Sequence, residues 1–183
     1  MTARRIGVVA KRGLTAAAPH LVEVARWLIE RDVAVRMDPE TASIAGLADV
    51  PTSERADLPR HVDLVLVLGG DGTLLGMADA VGAAGTGIPI LGVNFGRLGF
   101  LTEVTLDELF PALEVVLSGN AQVSERAMVR AKTLAGGAVV DPNRSSSFFP
   151  AAEALPVCAS HVPVLTPFAP VGCLEYNPSP PAC

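Results

Sequence analysis

The sequence predicts an α/β fold: a Rossmann-like, doubly wound parallel sheet followed by an incomplete or irregular β-rich second domain. Three aliphatic runs, at residues 5–10, 62–68 and 88–93, indicate the sheet, because strands buried on both faces form continuous apolar segments. Apolar residues at helical spacing lie between these runs, and alternating strands and helices favour parallel pairing with right-handed crossovers. We expect the α/β domain to cover residues 1–121 and the second domain to cover residues 122–183.

The first third of the chain predicts a strand, a helix, a second strand and a long connection. Residues 5–10 form the first strand, and the alternating residues 32–37 form the second. The helix between them ends near Arg31 and is indicated by apolar residues at helical spacing, namely Leu21, Val24, Ala25 and Leu28. Residues 38–60 contain three prolines and little periodicity, so we expect a connection with one short helix around residues 41–47.

The middle of the chain predicts a further helix and strand before the second domain begins. We expect a helix from Thr73 to about Val81, a turn over residues 82–87 and the strand at 88–93, where Pro89 is tolerated near the start. Residues 122–134 alternate loosely between apolar and polar side chains. They predict the opening strand of the second domain.

One more helix is predicted between that strand and the second domain. Thr105 and Glu108 have the spacing of a capping box, and Gly119 supplies the stop. Pro111 conflicts with a helix that begins at this box, because it would introduce a kink. The regular part of the helix is therefore predicted to begin near Leu109.

A glycine-rich segment at the end of the second aliphatic run, residues 62–68, is the strongest functional signal. Gly69 and Gly70 let the backbone turn tightly and approach a ligand. Asp71 and Gly72 follow, and Thr73 can cap a helix whose amino end favours anions. In open α/β sheets ligands bind at this edge. A tight structural turn explains the glycines equally well, but an accessible acid between glycines favours a ligand site. The pattern is not a P-loop, because no Gly-x-x-x-x-Gly-Lys-Ser/Thr segment occurs.

A second glycine-rich segment follows the next strand, over residues 94–102. The Asn94 carboxamide can both donate and accept hydrogen bonds, and Gly96 and Gly99 let the chain approach a ligand or a neighbouring strand. Phe95 and Phe100 are candidates for stacking on a base, although an aromatic residue beside an apolar strand more often belongs to the core.

Together, the segments Gly-Gly-Asp-Gly-Thr at 69–73 and Gly-Val-Asn-Phe-Gly-Arg-Leu-Gly-Phe-Leu-Thr at 92–102 resemble the NAD kinase family. Gly-Gly-Asp-Gly alone is shared with diacylglycerol kinases, sphingosine kinases and phosphofructokinases, and the second segment narrows the choice. The resemblance covers residues 4–131. It implies an α/β domain, an all-β domain and an active site between them. It also implies phosphorylation of the adenosine ribose 2′-hydroxyl of NAD, with ATP or polyphosphate as donor and NADP as product.

The resemblance assigns roles to individual residues. It implies that Asp71 is the proton acceptor, that Gly72 contacts NAD, and that Asn94 and Phe100 lie around the adenosine pocket. An acceptor-only carboxylate suits phosphoryl transfer, which needs a group that orients the hydroxyl and takes its proton. Asp71 as a ligand of Mg²⁺, the expected divalent cation, remains an alternative. The predicted nucleotide-binding residues are Gly69, Gly70, Asp71, Gly72, Thr73, Asn94, Gly96 and Phe100.

Composition limits the classes of partner. Half of the 183 residues are apolar and the net charge is −5, which excludes the basic footprint of a nucleic-acid-binding protein. No uninterrupted run of about 18 apolar residues occurs, and the apolar stretch near the start is too short for a signal peptide. We expect a cytoplasmic protein that binds the small molecules NAD and ATP, and neither nucleic acid nor membrane. A homo-oligomer is expected by resemblance.

The last forty or so residues depart from the family pattern. Residues 142–183 hold nine of the fifteen prolines, all three cysteines and three charged side chains. The second-domain motifs of NAD kinases have no match here, so we expect a truncated or frame-altered chain whose second domain is incomplete. Cys158, His161, Cys173 and Cys183 are possible metal ligands, but only the first pair has zinc-like spacing. Free thiols are the favoured interpretation, and no metal site is predicted.

Three functions remain open at the level of sequence. The first is NAD kinase activity, and the second is a catalytically inactive nucleotide-binding fragment of the same family. The third is a lipid kinase of the diacylglycerol type, against which the second glycine-rich segment argues. His20 and His61 are both expected to be solvated.

Overall fold

The computed structural model describes residues 3–96, 99–102, 104–130, 133–135, 138–140 and 158–166. The strands are β1 (Arg5–Ala10), β2 (Ala34–Met37), β3 (Leu64–Gly69), β4 (Ile90–Asn94), β5 (Val104–Thr105), β6 (Gln122–Arg130), β7 (Thr133–Ala135), β8 (Ala138–Val140) and β9 (Cys158–Thr166). The helices are α1 (Ala18–Ile29), α2 (Pro39–Ala45), α3 (Asp71–Ala84) and α4 (Leu109–Leu117). Short 3₁₀ turns cover Thr15–Ala17 and Leu58–Arg60.

A parallel sheet organises the first part of the chain. Its strands run in the order β2-β1-β3-β4, all parallel, and β5 pairs in parallel with the end of β4. Beyond β4 the sheet continues with β9, which pairs with β4 in parallel through Ile90 and Val164. β6 in turn pairs with β9 in antiparallel register along its whole length. β7 and β8 form a separate two-stranded sheet. The predicted α/β class is confirmed, while the division at residue 121 remains a prediction.

Helices cover both faces of the sheet at its centre, which explains why β1, β3 and β4 are almost wholly apolar. Alternate residues of β3 point to opposite faces, so Leu66 belongs to one buried cluster and Val67 to the other. The first cluster joins the sheet to α1 and α4, and the second joins it to α3. Each face thus forms a core of its own, as in a doubly wound fold.

Most predicted elements are present, with boundaries shifted by about two residues. The first strand has the predicted bounds, and α1 ends at Ile29, close to the expected Arg31. β2 begins at Ala34 instead of Asp32, because Asp32 has a positive φ of 58° and reverses the chain after the helix. α2 begins at Pro39, two residues earlier than predicted, since proline is favourable in the first turn of a helix.

The predicted bounds of α3 are wrong at both ends. The helix begins at Asp71, because Gly70 adopts an extended conformation (φ −120°, ψ −172°) and serves as the N-cap residue. It continues into the predicted turn over residues 82–87 and ends at Ala84. Gly85, with φ 65°, supplies the left-handed cap there. The small residues 82–84 therefore prolong the helix by three residues beyond the predicted end at Val81.

α4 begins at Leu109, as predicted from Pro111, which lies in the first turn and removes no internal hydrogen bond. The capping box forms only in part. Glu108 Oε2 accepts hydrogen bonds from the Thr105 amide (2.9 Å) and hydroxyl (2.7 Å), but the helix has no side-chain cap. These two bonds lower the pKa of Glu108. Gly119, with φ 80°, follows the helix as expected. None of the helices in the described part of the chain is long and apolar enough to cross a bilayer.

Candidate active site

The two glycine-rich segments meet at the carboxyl edge of the sheet. Gly69 at the end of β3 pairs with Asn94 at the end of β4, and the Phe95 amide donates to the Gly69 carbonyl at 3.0 Å. Lys11, just after β1, reaches the same edge, where its amide donates to the carbonyl of Leu68 at 2.8 Å. The register of three parallel strands therefore assembles the residues that the sequence singled out.

A single carboxylate joins the two segments. Asp71 Oδ2 accepts a hydrogen bond from the Phe100 amide (2.9 Å). Asp71 Oδ1 accepts from the Leu101 amide, the Thr102 amide and the Thr102 hydroxyl, each at 3.1 Å. These donors, the Phe100 amide first, lower the pKa of Asp71 and outweigh the opposing effect of partial burial. The carboxylate is therefore ionised at neutral pH.

Two glycines are required by close contacts at this edge. A Cβ atom on Gly99 would overlap Asp71 Oδ1 and would lie 2.6 Å from Asp71 Cγ. A Cβ atom on Gly69 would lie 2.7 Å from the Thr73 hydroxyl oxygen and 3.2 Å from Lys11 Cβ. At each position the shortest of these contacts is closer than packed atoms normally approach. A larger residue would therefore displace the side chain that it meets.

Other glycines at the edge face open space. A Cβ atom on Gly70, Gly72 or Gly96 would meet no heavy atom within 4 Å beyond its own neighbours. Gly72 and Gly96 are exposed. The backbone beside Asp71 is therefore open to an incoming molecule, whose atoms can approach more closely than a side chain there would permit.

The two phenylalanines of the second segment have different environments. Phe95 is half-buried against the first core, and its ring contacts the edge of His20 at a centroid distance of 5.5 Å. Phe100 is 95% exposed. His20 is half-buried and has its ring against Phe95, so it is only partly solvated; His61 is exposed, as expected. Asn94 is buried, and its Oδ1 accepts from the Gly96 amide at 2.9 Å.

The chain matches the family profile described as the ATP-NAD kinase N-terminal domain over residues 6–121. It belongs to the NAD kinase family. This result confirms the resemblance drawn from the two glycine-rich segments and favours it over the lipid kinases that share Gly-Gly-Asp-Gly.

Individual relatives agree with the family assignment. The NAD kinase of Geotalea daltonii is 46% identical over 119 residues, which cover 65% of this chain and 40% of that protein. The NAD kinase of Geobacter metallireducens is 47% identical over 122 residues, covering 67% of this chain and 41% of that protein. This chain thus spans less than half the length of these relatives.

A solved structure shares the fold. The crystal structure of yeast NADH kinase complexed with NADH superposes with a TM-score of 0.59 at 18% identity, covering 88% of this chain and 47% of that one. At this identity the likeness supports the architecture, and the α/β fold of this NAD kinase family member is consistent with it.

Thr73 does not act as the helix cap that the sequence predicted. Because Gly70 is the N-cap residue, Thr73 lies within the first turn of α3, and no side chain caps the helix. The Thr73 side chain instead covers Gly69. The residue stays at the predicted edge but shapes the turn between β3 and α3.

The sequence did not identify Thr102 or the amides of Phe100 and Leu101 as partners of Asp71, and Gly99 was expected only to let the chain approach a ligand or a neighbouring strand. Thr102 is fully buried, although it lies in a loop after an exposed phenylalanine. The sequence signal that could have revealed these donors is the segment Gly-Phe-Leu-Thr at 99–102, in which a glycine directly precedes the three residues that donate to Asp71. Spacing alone does not show that these residues fold back onto an acid some thirty positions earlier.

Metal ligands are not assembled in the described part of the chain, where no group of three or more His, Cys, Asp or Glu side chains is placed to hold an ion. Cys158 and His161 lie three residues apart on β9, paired with Arg130 and Ala127 of β6 respectively. Cys173 and Cys183 lie outside the described residues, so the interpretation of the cysteines as free thiols stays a prediction.

Proposed function

We propose that this protein is an NAD kinase, a nucleotide-binding phosphotransferase that converts NAD to NADP with ATP or polyphosphate as donor. The observation that carries the proposal is the ionised Asp71 carboxylate at the start of α3, beside the open backbone of Gly72. Membership of the NAD kinase family supports the assignment of the substrate. The same family relation supports a domain division near residue 121.

The proposed reaction needs one proton acceptor and one leaving group. The ribose 2′-hydroxyl of NAD donates a hydrogen bond to Asp71, and its oxygen attacks the γ-phosphorus of ATP. The bond between the γ-phosphorus and the bridging oxygen breaks, ADP leaves, and the hydroxyl proton passes to the carboxylate. A carboxylate with a lowered pKa is a weak base, so its main contribution is to orient the hydroxyl until the new bond has formed.

The remaining site residues are proposed to hold the two nucleotides. The exposed ring of Phe100 offers a stacking surface for adenine. Asn94 and Gly96 would border the adenosine, and Gly72 would let the ribose approach. The turn formed by Gly69 and Gly70, with Thr73, leads into the amino end of α3, where backbone N–H groups favour phosphate oxygens.

The divalent cation is proposed to arrive with the donor. Mg²⁺ keeps several waters and binds mainly to phosphates with one or two carboxylates. The described residues form no metal-binding group of their own, so the phosphates of ATP or polyphosphate would carry the ion, which neutralises their charge. We propose a cytoplasmic enzyme, since NAD and ATP are both available there, and a homo-oligomer on family grounds.

A second candidate function is nucleotide binding without turnover. Residues 142–183 hold many prolines and few charged side chains, and no segment there resembles the second-domain motifs of the family. In this case the α/β part would bind NAD without transferring a phosphoryl group.

The test is NADP formation from NAD, Mg²⁺ and ATP or polyphosphate, combined with NAD binding by calorimetry. Asp71→Asn should lower kcat by about 100-fold or more, the usual size of a general-base effect, while NAD still binds. The amide oxygen can take the place of Oδ1 and keep three of the four hydrogen bonds, so the site should stay folded. Asp79→Asn, an exposed position on the same helix, is the matched control and should keep full activity.

Each alternative has its own outcome. NAD binding without NADP formation by the parent chain would support the second candidate. Phosphorylation of diacylglycerol would restore the lipid-kinase alternative. Normal turnover of Asp71→Asn at saturating NAD would remove Asp71 from the chemistry.

A further inference from the structure

We infer that Thr102 is a positioning residue that fixes the orientation of the Asp71 carboxylate, so that Oδ2 is the oxygen that receives the substrate hydroxyl. The inference deepens the proposed function and rests on it. It assigns separate tasks to the two oxygens of one side chain: Oδ1 anchors the second glycine-rich segment, and Oδ2 faces the substrate.

The count of donors distinguishes the two oxygens. A carboxylate has about four acceptor directions, two on each oxygen. Oδ1 already accepts from the Leu101 amide, the Thr102 amide and the Thr102 hydroxyl. Oδ2 accepts only from the Phe100 amide among the described residues. The acceptor capacity that remains for a ligand therefore lies on Oδ2.

Thr102 is the side chain that enforces this arrangement. It is fully buried, and its amide and its hydroxyl both donate to the same oxygen. Its methyl group faces Gly92 of β4, where an added Cβ atom would lie 3.1 Å from Thr102 Cγ2. Because a β-branched side chain has few χ1 rotamers, packing of the methyl group against the strand directs the hydroxyl to Asp71.

Gly99 restricts the carboxylate from the other side. Its missing side chain leaves the space that Oδ1 occupies, since a Cβ atom there would overlap this oxygen. An aspartate carboxylate otherwise turns easily about its last torsion and exchanges its two oxygens. With Thr102 donating on one side and the Gly99 backbone close on the other, the plane of the carboxylate is held in place. A half-turn only exchanges two equivalent oxygens and leaves this arrangement unchanged.

The experiment compares Thr102→Val with Thr102→Ser. Valine keeps the shape of threonine and removes the hydroxyl, whereas serine keeps the hydroxyl. Thr102→Val should lower kcat by about tenfold, in line with the loss of one hydrogen bond to a charged group, and leave the KM for NAD within about twofold of the parent. A ¹³C NMR titration should show the pKa of Asp71 raised in Thr102→Val. Thr102→Ser, which keeps the hydroxyl but loses the methyl group that directs it, should lie closer to the parent than Thr102→Val in both measurements.

A second pair of variants covers the case in which Thr102→Val does not fold. Gly99→Ala pushes Oδ1 aside and should lower kcat and raise the pKa of Asp71 in the same way. Gly76→Ala, at an exposed position on α3 where an added Cβ meets nothing within 4 Å, is its control.

The outcomes separate this inference from the proposed function. Parental kcat and parental Asp71 pKa in folded Thr102→Val, or an equal defect in Thr102→Ser, would overturn the role of Thr102. No NADP formation by the parent chain would overturn the proposed function instead. The carboxyl titration then still decides whether Thr102 holds Oδ1.

Discussion

Asp38, the residue between β2 and α2, forms a buried polar cluster with Thr41 and Arg55 that fixes the last residue of β1. Asp38 is 2% exposed and accepts hydrogen bonds from the Thr41 hydroxyl and from Arg55 Nε, the latter at 2.9 Å. The Thr41 oxygen accepts from the Ala10 amide (2.8 Å), and Arg55 Nη2 donates to the Ala10 carbonyl (2.7 Å). Since Lys11 follows directly and lies against Gly69, the cluster supports one wall of the candidate site.

Removing the guanidinium group should therefore be costly. Arg55→Met leaves a buried carboxylate without its cation, a change that destabilises proteins by about 3 kcal/mol or more. Arg26→Met is the matched control, because Arg26 forms an exposed pair with Glu30 at 3.8 Å, and such pairs contribute about 0.5 kcal/mol or less. Urea unfolding of both variants measures the difference. Equal stability of the two variants would mean that the buried cluster contributes no more to the free energy of unfolding than the exposed pair does.

At the scale of elements, α3 lies on the sheet through a contact that only glycine permits. A Cβ atom on Gly92 of β4 would overlap Leu74 Cδ1, a buried residue of α3. The same atom would touch the methyl group of Thr102. Gly92 thus sets the distance between helix and strand and, through Thr102, the position of the loop that holds Asp71.

Two glycine substitutions on these elements should have opposite signs. Gly92→Ala should destabilise the protein by about 1–3 kcal/mol, because it overpacks a closed interface. Gly76→Ala should stabilise it by about 0.5–1 kcal/mol, since alanine is the better helix former at an exposed interior position. Thermal unfolding of the two variants gives the comparison. A stabilised Gly92→Ala would show that α3 can move away from β4 without loss.

The sequence predicted the sheet well because each aliphatic run had one physical explanation, burial on both faces. It located the candidate site for a similar reason, since glycines at the ends of adjacent parallel strands must meet at one edge. It misplaced the start of α3, because Asp71 and Gly72 are poor helix formers by propensity and only the extended Gly70 fixes the first turn.

Two other features of the structure could not be predicted from the sequence, for a different physical reason. The hydrogen bonds from residues 100–102 to Asp71 and the cluster around Asp38 join positions far apart in the chain. Periodicity and capping patterns describe neighbours within a few residues. Contacts of this range follow from the folded register of the strands, which no local pattern of side chains encodes.

At the scale of the whole molecule, three carboxylates among the described residues couple stability to pH. The pKa of Asp63 is lowered by its hydrogen bonds with Arg5, foremost the side-chain pair, and with the Arg4 amide. The pKa values of Asp71 and Glu108 are also below their ordinary values of 3.8 and 4.5. In each case the unfolded chain takes up its proton at a higher pH than the folded one, so acid favours unfolding.

The free energy of unfolding should therefore be nearly constant above about pH 5 and fall as the pH is lowered through about 4 and below, where these groups become protonated first in the unfolded chain. Urea unfolding at a series of pH values measures the curve. Asp71→Asn, which lacks one of the three groups, should show a shallower decline than the parent. A stability that rises on acidification would contradict the assigned directions of these pKa shifts.

The Asp71 carboxylate and the empty side-chain position of Gly99 occupy one shared volume, and this has a consequence for how the chain tolerates change. Any residue larger than glycine at 99 needs a shorter or displaced side chain at 71, and loss of the acid releases the constraint on 99. Selection on one position is thereby transmitted to the other, so the two glycine-rich segments are expected to diverge in concert, as a single inherited unit.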